Sequence, residues 1–378
     1  MVAHSTHPYL LMGQSWIYHQ IAFLRRWVPV VLTRRTVNVE TFPVERIHAL
    51  HARSRLRVGL EKLAAMALGY LPLHRRALGR ERARLLHSHG GLRGIADAAL
   101  ARAMRLPHVV SFYGADIWQG SRDPLVLRGF RRLFASAACF LVEGPAMRRK
   151  VISLGCPPGK VRVHHLGIAP EKVRFLPRTP HADGEVRFLL AGRSLEKKGH
   201  LHGVEAFARL AARHPAVRLV LMTWGDGPEA DAVMDPIRRI IAAQGLGERV
   251  EIVGQQPYAE YLESTRRCHV FVNPSVHAVN GDAEGGFPVT LTEMLASGMP
   301  VVASDHCDAA EIVRDGETGL LAPERDPAAL AEKLEWLLGH PGDWRRLAEN
   351  ARRLVEREYD ARVQAGRAES IYDELTGG

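Results

Sequence analysis

From residue 85 onward, short β-branched runs alternate with stretches whose apolar residues recur every three or four positions. HVVSF at 108–112, CFLVEG at 139–144 and VRVHH at 161–165 read as strands, while 125–136 and 145–154 read as amphipathic helices. Such alternation predicts parallel sheets covered by helices. The segment FLPRTPHADGE, 175–185, holds two prolines and a glycine without periodicity and reads as a linker. A second series opens at Val186 with strands VRFLLAG, VRLVLMTWG, RVEIVG, HVFVNPS and PVVASD. Helices are expected at about 200–213, 229–243, 257–266 and 290–297, and from Pro327 the chain is helical almost throughout. The pattern predicts an α/β protein of two Rossmann-like, doubly wound domains facing across a cleft. Their bounds are 1–175 and 186–359, with 176–185 between them. Ligands of open α/β sheets lie beyond the carboxyl ends of the strands, so the strand-to-helix turns are where chemistry is expected.

Composition narrows the class. With 378 residues and 46% hydrophobic, the chain can bury two cores, which argues against a disordered protein. Cys139, Cys156, Cys268 and Cys307 are scattered, with no C-x-x-C pair and no histidines at zinc spacing. They read as thiols of a reduced cytoplasm, and no metal is expected. The most apolar stretch, 63–73, is about half the length of a membrane span and is followed by His74, Arg75 and Arg76. Pro29 and two arginines interrupt the N-terminal apolar run, so no signal pattern is read there.

The charge is unevenly placed. The chain carries +10, and residues 45–84 hold ten Lys/Arg against three Glu, +7 of that excess. Within it, RSRLRVGLEKLAAMALGYLPLHRR sets Leu56, Leu60, Leu63, Met66, Ala67 and Leu71 at helical spacing among the charges. It reads as a basic amphipathic helix suited to anionic lipid or an anionic acceptor, with an ordinary solvated surface helix as the alternative. No helix-turn-helix, zinc or aromatic-rich signature points to nucleic acid, and none is expected as a partner.

Three turns of the second half carry chemistry. In G-R-S-L-E-K-K-G, 192–199, Arg193 and Lys198 bracket a loop at a strand's end, an arrangement that suits a diphosphate. It lacks the Gly-Lys-Ser/Thr of a Walker loop. The turn W-G-D-G-P, 224–228, permits close backbone approach to a ligand through its glycines. In E-G-G-F-P, Glu284 precedes Gly285, Gly286 and Phe287, and Pro288 suits the first turn of a helix that Gly298 closes. A carboxylate for hydroxyl donors and a helix N-terminus for negative oxygens thus lie side by side. Glu293 lies on that helix, where it can bond a second pair of hydroxyls. The two carboxylates also fit a glycosidase, for which the phosphate-suited turns have no use.

The run E-G-G-F-P-V-T-L-T-E-M-L-A-S-G-M-P-V-V-A-S-D resembles the donor-site motif of the retaining glycosyltransferases of family 4 (group 1), which have the GT-B fold. G-R-S-L-E-K-K-G resembles that family's phosphate loop, V-R-V-H-H-L-G-I its strand before the hinge, and E-I-V-R-D-G-E-T-G-L-L the sequence after its donor site. S-F-Y-G-A-D, 111–116, sits where the family commonly has Phe-His-Gly-x-Asp. The resemblance implies that Arg193 and Lys198 hold the donor diphosphate and act, with Glu284, as the catalytic set. It surrounds the donor with Gly192, Gly225, Gly254, Glu284, Gly285, Gly286, Phe287, Pro288 and Glu293, the last on the nucleotide ribose. Ser15, His89, Tyr113 and Asp116 fall on the acceptor side, and a final helix, 360–378, completes the first domain.

The implied activity is metal-independent transfer of a hexose, with retention, from a nucleotide-sugar to a glycan or lipid-linked acceptor. A UDP-sugar is placed ahead of a GDP-sugar, no cofactor is required, and the setting is bacterial surface polysaccharide or glycolipid synthesis. The protein would work in the cytoplasm, at the inner face of the plasma membrane. A nucleotide-sugar binder without transfer activity and a GT-B epimerase or phosphorylase are the alternatives. Departures from the pattern are the eight residues between Glu284 and Glu293, one more than usual, and Tyr113, Leu166 and Ala169 at positions where histidine, asparagine and aspartate are common.

Overall fold

Strands of three to eight residues, most of them buried on both faces, build two wholly parallel sheets. In the computed structural model, which describes residues 1–377, the chain divides into Met1–Ala169 with 358–377, and Pro170–Arg357.

The sheet of the first unit holds β1 (Val2–Ser5), β2 (Pro29–Thr33), β3 (Ile47–Ala49), β4 (Leu85–His89), β5 (His108–Ser111), β6 (Cys139–Val142) and β7 (Val161–Val163), in the order β3-β2-β1-β4-β5-β6-β7. Its helices are α1 (Ser15–Ala22), α2 (Arg55–Leu68), α3 (Pro72–Arg80), α4 (Gly91–Met104), α5 (Ala115–Trp118), α6 (Pro124–Ser136) and α7 (Pro145–Ser153). Phe112, Phe130, Phe134 and Phe140 stack or meet edge-to-face in its core. Helix α4 runs so close to them that a Cβ on Gly91 would meet the Phe112 ring at 2.5 Å.

The sheet of the second unit holds β8 (Val186–Arg193), β9 (Val217–Trp224), β10 (Val250–Val253), β11 (Val270–Asn273), β12 (Val301–Ser304) and β13 (Leu320–Ala322), in the order β10-β9-β8-β11-β12-β13. Its helices are α8 (His200–Ala211), α9 (Pro228–Ala243), α10 (Tyr258–Arg266), α11 (Val289–Ser297), α12 (Ala309–Ile312), α13 (Pro327–Gly339) and α14 (Trp344–Glu358). The last helix, α15 (Ala361–Thr376), belongs to the first unit. There Glu369 accepts from the backbone amides of Arg25, Arg26 and Trp27, and the Tyr372 hydroxyl bonds His87 Nδ1 at 2.7 Å. In each sheet the strand order reverses at a central pair, β1–β4 and β8–β11, and such reversals are where α/β sheets bind ligands.

Three sequence expectations need correction. The regular alternation does not begin at residue 85. β1, β2 and β3 precede it, and β1 is central; β1 and β2 are short and almost wholly buried and β3 has three residues, so none shows a period of two. The basic segment is not one helix. Gly69, at φ +76, ends α2, and Pro72 starts α3, so Leu71 is buried while Leu56, Leu60, Leu63 and Met66 stay 58–84% exposed on α2. The 175–185 stretch is not free of structure either, since the Leu176 amide bonds Ser297 O and the buried Arg178 donates to Cys268 O.

Candidate functional site

The central pair β8–β11 of the second unit sends two loops from its carboxyl end. After β8 the chain makes a single 3-10 turn, Glu196–Lys198, and Gly199 passes at φ +64 into α8. Glycine is required there because a Cβ would lie 1.7 Å from Pro274 O, on the loop that leaves β11. This close approach brings the two loops together. Lys198 Nζ stands 2.9 Å from a carboxylate oxygen of Glu284, and Lys197 Nζ stands 3.0 Å from Asp282. The Glu284 side chain is nearly buried. Burial alone would raise its pKa, but Lys198 and Lys197 hold it below the usual carboxylate range. Arg193, the last residue of β8, is exposed at the end of the strand. Beside it the Ser194 amide bonds Trp224 O, and the Ser194 and Thr223 hydroxyls bond at 2.8 Å.

Glu284 opens a turn that leads into α11. Its amide donates to His306 Nε2 at 3.2 Å, Gly285 sits at φ +88, and Gly286 O accepts from the Asp308 amide. The run between the two glutamates thus opens on a left-handed glycine. Pro288 is the N-cap of α11, Phe287 is buried, and Gly298 ends the helix at φ +87. Glu293 lies inside α11, buried, with the Tyr258 hydroxyl donating to it at 2.9 Å and Tyr261 at 3.5 Å. Burial pushes its pKa up to about 7, although the bonds from Tyr258 and Tyr261 act the other way. Gly225, at φ +144, follows β9 and lets the chain close on Ala230, while Gly254 follows β10 and is exposed.

In the first unit the turn after β5 meets the end of β4. The Tyr113 hydroxyl bonds His89 Nδ1 at 2.6 Å and accepts from Gln20 Nε2 at 3.2 Å. Asp116 accepts from the amides of Gly91 and Tyr113, so it ties this turn to the start of α4. Burial raises the Tyr113 phenol and lowers the His89 imidazole, leaving both neutral near pH 7. Ser15 begins α1, whose Trp16 packs edge-on against Tyr113 at 6.3 Å. No local motif marks Gln20, Tyr258, Tyr261 or His306, since each meets its partner from another element.

The family model described as "Glycosyl transferases group 1" matches residues 173–354, and "Glycosyltransferase Family 4" matches 22–172. The chain belongs to glycosyltransferase family 4, group 1. Among curated relatives of this family, the amylovoran biosynthesis glycosyltransferase AmsK of Erwinia amylovora is 31% identical over 267 residues, 71% of this chain. The putative colanic acid biosynthesis glycosyltransferase WcaL of Salmonella typhimurium is 32% identical over 252 residues, 65% of this chain. The chain spans 64% and 59% of those relatives' own lengths. The fold is that of HepE from Anabaena, whose crystal structure in complex with UDP superposes at a TM-score of 0.78, with 16% identity, over 99% of both chains. The same protein in complex with UDP-glucose gives 0.74, at 17% identity over 98% of both. The family 4 chain thus has the GT-B fold. Among its described residues, no helix is long and apolar enough to cross a membrane.

Proposed function

We propose that this protein transfers a hexose, with retention of configuration, from a nucleotide-sugar to a glycan or lipid-linked acceptor of bacterial surface polysaccharide synthesis. The observation that carries the reading is the Lys198–Glu284 pair, set where β8 and β11 reverse the strand order and beside the N-terminus of α11. A diphosphate entering there meets Lys198, Arg193 and the helix N-terminus, three fixed positive groups that stabilise departing phosphate oxygens without a metal. Glu284, relieved of part of its lysine contact, accepts from sugar hydroxyls, and Glu293 accepts from the ribose in place of Tyr258. Gly192, Gly225, Gly254, Gly285, Gly286, Phe287 and Pro288 complete the donor surroundings. The departing phosphate takes the acceptor's proton, so no dedicated side-chain base is needed. A UDP-sugar is the preferred donor, in keeping with the UDP and UDP-glucose complexes of HepE.

Ser15, His89, Tyr113 and Asp116 make up the acceptor side in this reading. A lipid-linked phosphate acceptor at an anionic membrane face is supported by α2 and α3. Arg53, Arg57, Arg76 and Arg80 line a cavity of about 520 Å³ between them, and the exposed leucines of α2 stand next to it. The activity is tested by incubating the protein with UDP-hexoses and a lipid-phosphate glycan acceptor and reading the new anomeric signal by NMR. An axial donor bond should give an axial product bond. Inverted product, or UDP release with no glycosylated acceptor under any donor, would reject the proposal.

A further inference from the structure

Histidine and cysteine side chains that sequence spacing keeps apart meet behind the Glu284 turn. His277 comes from the loop after β11, and His306 and Cys307 from the loop after β12. One nitrogen or sulfur atom from each of the three lies within 4.8 Å of the other two. Cys307 Sγ is 3.3 Å from His306 Nε2 and 3.9 Å from His277 Nε2. The opposite nitrogens of both imidazoles are held by one carboxylate. Glu324 Oε1 is 2.9 Å from His277 Nδ1 and 2.7 Å from His306 Nδ1, and its Oε2 accepts from the His277 amide at 3.0 Å. A carboxylate that accepts from Nδ1–H fixes the tautomer with the lone pair on Nε2, the arrangement that outer carboxylates impose on metal-binding histidines. Both lone pairs then sit on the nitrogens that neighbour the sulfur. Cys307 adopts φ +51, a conformation unusual for a side chain of any size, and this sets its sulfur next to the two rings.

We propose that His277, His306 and Cys307 form a zinc site, with Glu324 as the positioning residue for both histidines. Two imidazoles and a thiolate are a ligand set that tetrahedral Zn²⁺ accepts, leaving a fourth position for water. At zinc bond lengths the ligand atoms lie about 3.3–3.6 Å apart, against sulfur–nitrogen separations of 3.3 and 3.9 Å and an outer limit of 4.8 Å here, so binding draws the three together. Binding replaces the Cys307 thiol proton, which passes to solvent. The cation takes the His306 lone pair in place of two weak contacts, the 3.2 Å bond from the Glu284 amide and the 3.3 Å thiol contact. Half-exposed His277 is the entry side. The fold's other close histidine group, His4, His87 and His89, is less suited. All three of its side chains are buried, and its imidazoles bond Tyr372, Ser111, Tyr113 and one another rather than an outer carboxylate.

The site stands apart from the transfer reading and is tested without activity. Chelator-treated full-length protein is titrated with Zn²⁺ against a chromophoric competitor, and with Co²⁺ while thiolate-to-cobalt charge-transfer absorption is followed. One zinc per chain and a cobalt–thiolate band are expected. Cys307→Ser should lose the band, and Cys307→Ser and His277→Ala should each weaken zinc at least about tenfold, with His89→Gln unchanged. His277 is exposed enough that its variant should fold, which the melting curve checks. Zinc binding equal in wild type, Cys307→Ser and His277→Ala, or no zinc bound at all, would overturn the site.

Discussion

Lys198 and Glu284 lie 86 residues apart in the chain and 2.9 Å apart in space, joining the loops that leave the two central strands of the second unit. The lysine favours the charged form of the nearly buried carboxylate. Removing the lysine therefore does two things that can be separated. Lys198→Ala should destabilise the protein by about 3 kcal/mol, because an ionised carboxylate is left buried and unpaired, and it should abolish measurable transfer. Adding Glu284→Gln to it should restore most of the melting temperature and none of the transfer. A double variant as unstable as Lys198→Ala alone would show that the pair does not carry this energy.

Glu293 should make donor binding depend on pH. Its carboxyl titrates at about 7 in the fold, and ribose hydroxyls need the ionised form. UDP affinity should rise from pH 6 to pH 8 in calorimetry, and Glu293→Gln should flatten the profile. Tyr258→Phe removes a bond that favours the carboxylate and should move the midpoint upward. The stability change has the opposite sense. A carboxyl whose folded pKa lies above its unfolded value near 4.5 favours folding below that value, and the contribution is lost as pH rises through about 7. Thermal melts should show a loss of about 3 kcal/mol over that window, reduced in Glu293→Gln.

Gly199→Ala should be among the most damaging single-atom changes. The new Cβ would collide with Pro274 O, and the left-handed backbone would be strained as well. A loss of about 2–4 kcal/mol is expected from denaturant unfolding. A melting temperature within a degree of wild type would show that the two loops are not in the described contact.

The exposed face of α2 predicts lipid binding without a folding role. Leu60→Glu with Leu63→Glu should leave the melting temperature unchanged, because both side chains face solvent. The pair should remove co-sedimentation with anionic vesicles, and wild-type binding should weaken as salt screens the arginines. Vesicle binding untouched by the double variant would contradict this use of α2.

The donor loops were legible because their residues are contiguous. G-R-S-L-E-K-K-G and E-G-G-F-P each carry their turn glycines, charges and helix start in one short run. Sequence did not disclose that Lys198 reaches Glu284, nor that Tyr258 and Tyr261 cover Glu293, since each contact joins different elements. The reversal at β8–β11 that creates these contacts is a property of strand order. The first three strands lack a readable period for a different reason: β1 and β2 are short and almost wholly buried, and β3 has only three residues. The break at Gly69 and Pro72 was available in the sequence, where the helical spacing of the leucines outweighed it. His277, His306 and Cys307 had no signal, because their loops come from neighbouring strands about thirty residues apart.

Nucleoside-diphosphate binding tests the central claim most directly. UDP, GDP, ADP, dTDP and CMP are titrated calorimetrically into wild type and Arg193→Ala, without added metal. One diphosphate, UDP, should bind with micromolar affinity and lose about 1.5–3 kcal/mol in the variant. Equal binding in the two proteins, or binding of none of the five, would contradict a donor diphosphate at the end of β8.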